Sequence, residues 1–180
     1  MSARTARVLA VDDRRENLLA LTAILEGLPV EIVAVTSGED ALKRLLVEDY
    51  AVILLDAHMP GMDGFETAGH IKQRERTRHI PILFLTAVDY DPHLAFRGYQ
   101  AGGVDYITKP FDPWVLRSKV AVFVDLWTLQ TELAAQASEA GQLRAAIDDA
   151  LAALDTAGDG PAAAVERARR RLEEARSAVS

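Results

Sequence analysis

Five side chains far apart in this sequence carry the chemistry it can do: Asp12, Asp13, Asp56, Thr86 and Lys109. Three carboxylates brought close together repel one another and cannot all stay ionised comfortably without a cation. A hard divalent ion with oxygen ligands relieves that repulsion. Magnesium typically takes one or two carboxylates, with waters and phosphate oxygens completing its shell. With such an ion and the Lys109 ammonium in place, a phosphoryl group arriving at Asp56 has its charge neutralised. A carboxylate is a competent nucleophile toward phosphorus and gives an aspartyl phosphate. Positioning and charge neutralisation are most of what phosphoryl transfer asks of a protein, and Thr86 would add a hydrogen bond to a phosphoryl oxygen.

That chemistry requires one edge of a sheet to gather all five. Strand candidates are "RVLAV" (7–11), "VEIVAV" (30–35), "YAVILL" (50–55), "IPILFL" (80–85) and "VDYIT" (104–108). The first four are continuously apolar, as expected for parallel strands covered on both faces; the last reads as an edge. Helix start signals fall between them. Asp13 with Glu16 and Ser37 with Asp40 are candidate capping boxes, and Asp63 is a candidate cap after the "PGMDG" turn. Asp91-Pro92 and Asp112-Pro113 each place an acid at an N-cap and proline at the first helical position. Five βα units in a row predict a doubly wound α/β domain. Ligands of open α/β sheets sit at the carboxyl ends of the strands. Asp12 and Asp13 follow the first strand, Asp56 the third, Thr86 the fourth and Lys109 the fifth.

Taken singly, each residue has an ordinary reading: Asp12 and Asp13 as helix caps, Asp56 as a turn residue, Thr86 as a strand end, Lys109 as a surface lysine. Their order and strand context together carry the argument. The segments "VDD" (11–13), "DAHMPGMDG" (56–64), "LTA" (85–87) and "YITKPF" (106–111) resemble the bacterial two-component response-regulator receiver domain over residues 7 to about 125. The resemblance implies a flavodoxin-like five-stranded sheet of order 2-1-3-4-5. It implies that Asp56 accepts phosphate from a phosphohistidine of a sensor histidine kinase. Asp13, Asp56 and the main-chain carbonyl of His58 would ligate Mg2+ directly, with Asp12 assisting through water; Thr86 and Lys109 would hold the phosphoryl oxygens. It further implies a cis Lys109-Pro110 bond, and a switch in which Tyr106 swings inward as Thr86 moves; the bland reading of Tyr106 is edge-strand packing. His58 and Val88 occupy slots that vary in the family and tune phosphate lifetime. Val88 offers no polar group to align an attacking water, which predicts a long-lived aspartyl phosphate. Gly103 stands where the family often has alanine, loosening the turn before the fifth strand.

Beyond residue 125 the chain is alanine-rich, lacks strands, and should continue the fifth helix of the domain. Val122, Leu126, Leu129, Leu133, Gln136, Ala140, Leu143, Ile147, Ala150 and Leu154 repeat at spacings of four and three, a heptad seam. Such a helix extends roughly 50 Å from Val122 to Leu154. "TAGDGP" (156–161) breaks it, and a short Arg-rich helix follows. The expected organisation is a receiver domain (1–125), a coiled-coil helix (126–156) and a linker with helical tail (157–180). The seam predicts a parallel homodimer with Gln136 holding the register; the competitor is a tail that folds back antiparallel at "AGDGP". Leu116, Val120 and Phe123 are expected to pack on the sheet.

A net charge of −7 argues against general binding to nucleic acid or anionic lipid. The "RARRR" cluster (167–171) is interrupted by Glu166, Glu173 and Glu174 at helical spacing, which fits a solvated helix with internal ion pairs. With no cysteine, no long apolar run and no signal-peptide pattern, the expectation is a cytoplasmic protein without membrane spans. His70, His79 and His93 lack metal-ligand spacing. No helix-turn-helix, phosphate loop, zinc signature or Ser/His/Asp arrangement is evident. The leading expectation is thus a non-enzymatic response regulator acting through helix-mediated dimerisation or an unknown downstream protein. An RNA-binding antiterminator with a shortened helical output region is the alternative; an enzyme using the acidic site to hydrolyse phosphate esters in turnover is a third.

Overall fold

In the computed structural model, which describes residues 5–87, 102–103 and 105–155 with six positions of the tail, the apolar runs form five parallel strands. These are β1 (Ala6–Val11), β2 (Val30–Val35), β3 (Val52–Asp56), β4 (Ile82–Thr86) and β5 (Asp105–Thr108), in the order β2-β1-β3-β4-β5. The order is the one expected. The helices are α1 (Arg15–Leu25), α2 (Gly38–Val47), α3 (Gly64–Gln73) and α4 (Pro113–Asp155). The helix expected from Asp91-Pro92 lies outside the described residues.

Successive strand side chains point to opposite faces, so a continuous apolar run feeds two cores at once. Leu9, Val11, Ile53, Leu55, Ile82 and Phe84 face one way and pack with Ala41 and Leu45 of α2 and Phe65, Ala68 and Ile71 of α3. Val8, Ala10, Val52, Leu54, Leu83 and Leu85 face the other way, against Leu18, Leu21 and Leu25 of α1 and Leu116, Val120 and Val124 of α4. Phe123 and Trp127 pack at the margin of that second core. β2 departs from expectation. Most of its residues are only half-buried or exposed, because it is an edge strand bonded to β1 alone.

Three of the expected caps form. Asp40 N donates to Ser37 Oγ at 3.1 Å, Glu66 N to Asp63 Oδ1 at 2.8 Å, and Trp114 N and Val115 N to Asp112 Oδ1 at 2.9 and 3.0 Å. The Asp13–Glu16 capping box does not. The N-cap of α1 is Arg14, with no side-chain cap bond, so Glu16 falls one position short of the one a box requires. Asp12 takes the Arg14 amide instead, at 2.9 Å.

The chain divides into two compact units, Met1–Thr128 and Leu129–Ser180. Of the expected seam, Val122 and Leu126 in the first unit and Leu129, Leu133, Leu143 and Ile147 in the second are 43–57% exposed, unlike the sealed core. Gln136 and Ala140 are exposed too. Ala150 is the exception: it is buried, so the open face does not continue through it. Leu154 belongs to the helix, and its side chain lies outside the described residues. Arg169 Nε pairs with Glu173 at 3.1 Å, an i,i+4 ion pair of the expected kind. Among the described residues no helix is long and apolar enough to cross a membrane.

Candidate functional site

β1 and β3 are adjacent, and a carboxylate stands at the carboxyl end of each. Asp12 follows β1, its amide donating to Val35 O at 3.2 Å, and its side chain is sealed from solvent. Asp56 and Thr86 are the last residues of their strands rather than the first beyond them, and both are buried. Asp13 is exposed. One carboxylate oxygen from each of Asp12, Asp13 and Asp56 lies within 4.8 Å of the others.

Lys109 closes this cluster. Its Nζ stands 2.7 Å from Asp12 Oδ2 and 3.0 Å from Asp56 Oδ2, and its amide donates to Thr86 O at 2.6 Å. The Lys109-Pro110 peptide is cis, as expected. His58 is exposed, but its amide donates to Asp56 Oδ1 at 3.2 Å, so the main chain of residue 58 borders the acid. Burial pushes the Asp56 carboxyl above its ordinary range; the bonds from Lys109 and the His58 amide oppose that shift without cancelling it.

Two further residues contribute in ways that the sequence does not show, although one of them, Gly64, closes the DAHMPGMDG motif. Asn17 Nδ2 donates to both oxygens of Asp12, at 2.9 and 3.0 Å, and so orients the buried carboxylate. The only signal was an amide five residues downstream of an acid. Gly64 is the other. A β-carbon there would lie 2.1 Å from the main-chain oxygen of Asp56 and 2.9 Å from Ala57 Cα, so only glycine lets α3 start this close to the end of β3. Gly64→Ala is expected to lower stability by about 1–3 kcal/mol, because backbone must move to admit the methyl group. Urea denaturation of the two proteins checks it.

Tyr106 is half-buried and stacks on Phe84, with ring centroids 5.6 Å apart; Phe84 in turn lies 5.0 Å from Phe65. Tyr106 pairs with Phe84 in the β4–β5 register, and Thr86 follows Phe84 by two residues. Thr86 and Tyr106 therefore project to the same side of the sheet. Val88 and His93 lie outside the described residues. Gly103 is buried, His79 exposed and His70 half-buried; among the described residues the Asp12–Asp13–Asp56 group is the one set with ligand spacing.

Among the described residues, three carboxylates against one ammonium leave the pocket a formal charge of −2, the ligand atoms are oxygens, and Asp13 opens it to solvent. That donor set fits a hard divalent cation such as magnesium. The response regulator receiver domain profile matches residues 8–121. The chain belongs to the response regulator receiver domain family. Receiver domains accept a phosphoryl group on an aspartate from sensor histidine kinases and bind Mg2+ at such an acidic pocket. The chain is 34% identical over 154 residues to the response regulator PleD of Caulobacter vibrioides, covering 86% of this chain and 34% of PleD. It is 36% identical over 131 residues to the sensor histidine kinase GacS of Pseudomonas protegens, covering 71% of this chain and 14% of GacS. It thus spans about a third or less of the length of these relatives. Among solved structures, the chemotaxis response regulator CheY4 of Vibrio cholerae superposes with a TM-score of 0.62 at 28% identity, over 67% of this chain and 99% of that one. The beryllofluoride-activated receiver domain of DrrB, a Thermotoga maritima protein, gives 0.60 at 28% identity, over 68% and 99%.

Proposed function

We propose that this receiver accepts a phosphoryl group on Asp56 from a phosphohistidine of a sensor histidine kinase and signals through its C-terminal helix. The observation that carries this is the placing of Asp56: a buried carboxylate with an ammonium at 3.0 Å and two further acids beside it. An Asp56 oxygen forms the new bond to phosphorus, the P–N bond of the donor breaks, and the imidazole nitrogen leaves with the electron pair. Lys109 meets the phosphoryl oxygens with positive charge, and the Thr86 hydroxyl donates a hydrogen bond to one of them. Asp12, Asp13, Asp56 and the main-chain carbonyl of His58 would hold the Mg2+, whose charge offsets that of the incoming group. Movement of Thr86 toward the phosphoryl group frees space that Tyr106, on the same side of the sheet, is placed to follow.

On this reading residues 1–125 are the receiver, 126–156 the output helix and 157–180 a linker and tail. The exposed apolar side chains of Leu129, Leu133, Leu143 and Ile147 support a homodimer or contact with a downstream protein as the output. The protein works in the cytoplasm. The Arg169–Glu173 pair favours a solvated tail over a nucleic-acid contact. Valine at position 88 supports a long-lived phosphate. The test is to treat the chain with acetyl phosphate and magnesium, reduce the acyl phosphate with borohydride, and sequence the peptides. Modification at residue 56 is expected; modification at Asp12 or Asp13 alone would refute the assignment.

A further inference from the structure

The open face of the second unit contains more than an apolar stripe, and what it contains specifies an orientation. In the heptad frame, Leu129, Gln136 and Leu143 share position d, while Leu133, Ala140 and Ile147 share position a. Position g then holds Glu132, Glu139 and Ala146, and position e holds Gln130, Ala137 and Arg144. In a parallel, in-register pair of helices, each g residue faces the partner's e residue five positions further on. Glu139 of each copy therefore meets Arg144 of the other, and two-fold symmetry makes the contact twice. An antiparallel pair sets g against g, which brings acids Glu132 and Glu139 against acids, and e against e, which offers them no cation.

Among the described residues neither Glu139 nor Arg144 takes part in an ion pair, so both charges remain available. They also flank the layers of Gln136 and Ala140, where apolar packing does least to select an orientation. We infer that the occupant of this face is a second copy of the chain, parallel and in register, with its direction set by reciprocal Glu139–Arg144 pairs. This rests on the dimer reading above. The paired stretch runs from Leu129 to Ile147 and ends before Ala150, which is already buried.

The chain has no cysteine, so Gln136→Cys introduces a single thiol at a d position. Oxidation is expected to give a disulfide-linked dimer of the full chain, because d residues face their own counterparts in a parallel pair; Ser138→Cys, on the outer face, gives none. Glu139→Arg and Arg144→Glu are each expected to weaken dimerisation about tenfold in sedimentation equilibrium, since two attractive contacts become repulsive. The double variant, with the pair exchanged, regains the wild-type dissociation constant. A wild-type chain that sediments as a monomer overturns this inference together with the dimer reading. A dimer that neither cross-links at position 136 nor responds to charge reversal overturns the register and leaves that reading standing.

Discussion

Asp56→Asn is expected to abolish the phosphoryl adduct entirely while leaving the fold intact. The amide has nearly the shape of the carboxylate and keeps an oxygen to accept from the His58 amide, which now donates at 3.2 Å. What it lacks is the anionic oxygen that attacks phosphorus, because a carboxamide oxygen is neutral and carries only a partial negative charge. Stability should not fall. Burial raises the carboxyl pKa of Asp56 in the folded chain, and a group shifted that way loses its stabilising contribution as pH rises through the raised value. At neutral pH its ionised form therefore opposes folding, and the neutral amide removes that cost. Lys109 still has Asp12 at 2.7 Å. The measurement pairs intact mass after phosphodonor and magnesium with urea denaturation in chelator. An undiminished adduct on the folded variant would mean that another residue is the acceptor.

The legibility of this site in sequence was uneven for physical reasons. Strand ends were visible because a parallel sheet needs unbroken apolar runs, and each run stops at a polar residue. That placed Asp12, Asp56, Thr86 and Lys109 on one edge to within a residue. The caps at Ser37, Asp63 and Asp112 were equally visible, since each is a local bond between a side chain and an amide within three residues. The Asp13 cap failed because Asp12 takes the Arg14 amide, so α1 begins a residue later. The roles of Asn17 and of Gly64, the last residue of the DAHMPGMDG motif, were hidden for a different reason: each acts across space, one on Asp12 and one on the main chain of Asp56. No local pattern encodes such a contact. The exposure of β2 depends likewise on its place at the edge, and the seam of α4 shows a repeat without showing what covers it.

Lys109→Met is expected to destabilise the metal-free protein by about 3–5 kcal/mol, the range for stranding a buried charge by removing its partner. Methionine preserves the length of the side chain and its apolar stem, so the loss reports the ammonium. Among the described residues, Asp12, fully buried, keeps Asn17 and the Arg14 amide as partners, and Asp56 keeps the His58 amide. Among the described residues the formal pocket charge deepens from −2 to −3 once the Lys109 ammonium is gone. A divalent cation should therefore bind the variant more tightly than the wild type, where Lys109 competes for the same two acids. Ligand binding stabilises the folded state in proportion to the logarithm of the ratio of free ligand to dissociation constant. Melting temperatures should thus differ widely in chelator and converge as magnesium is added. Adduct formation on Asp56 should still be impaired, because a cation among the carboxylates does not replace the ammonium that meets the phosphoryl oxygens. A gap between the two proteins that magnesium leaves unchanged would mean that Lys109 and the metal do not share those acids.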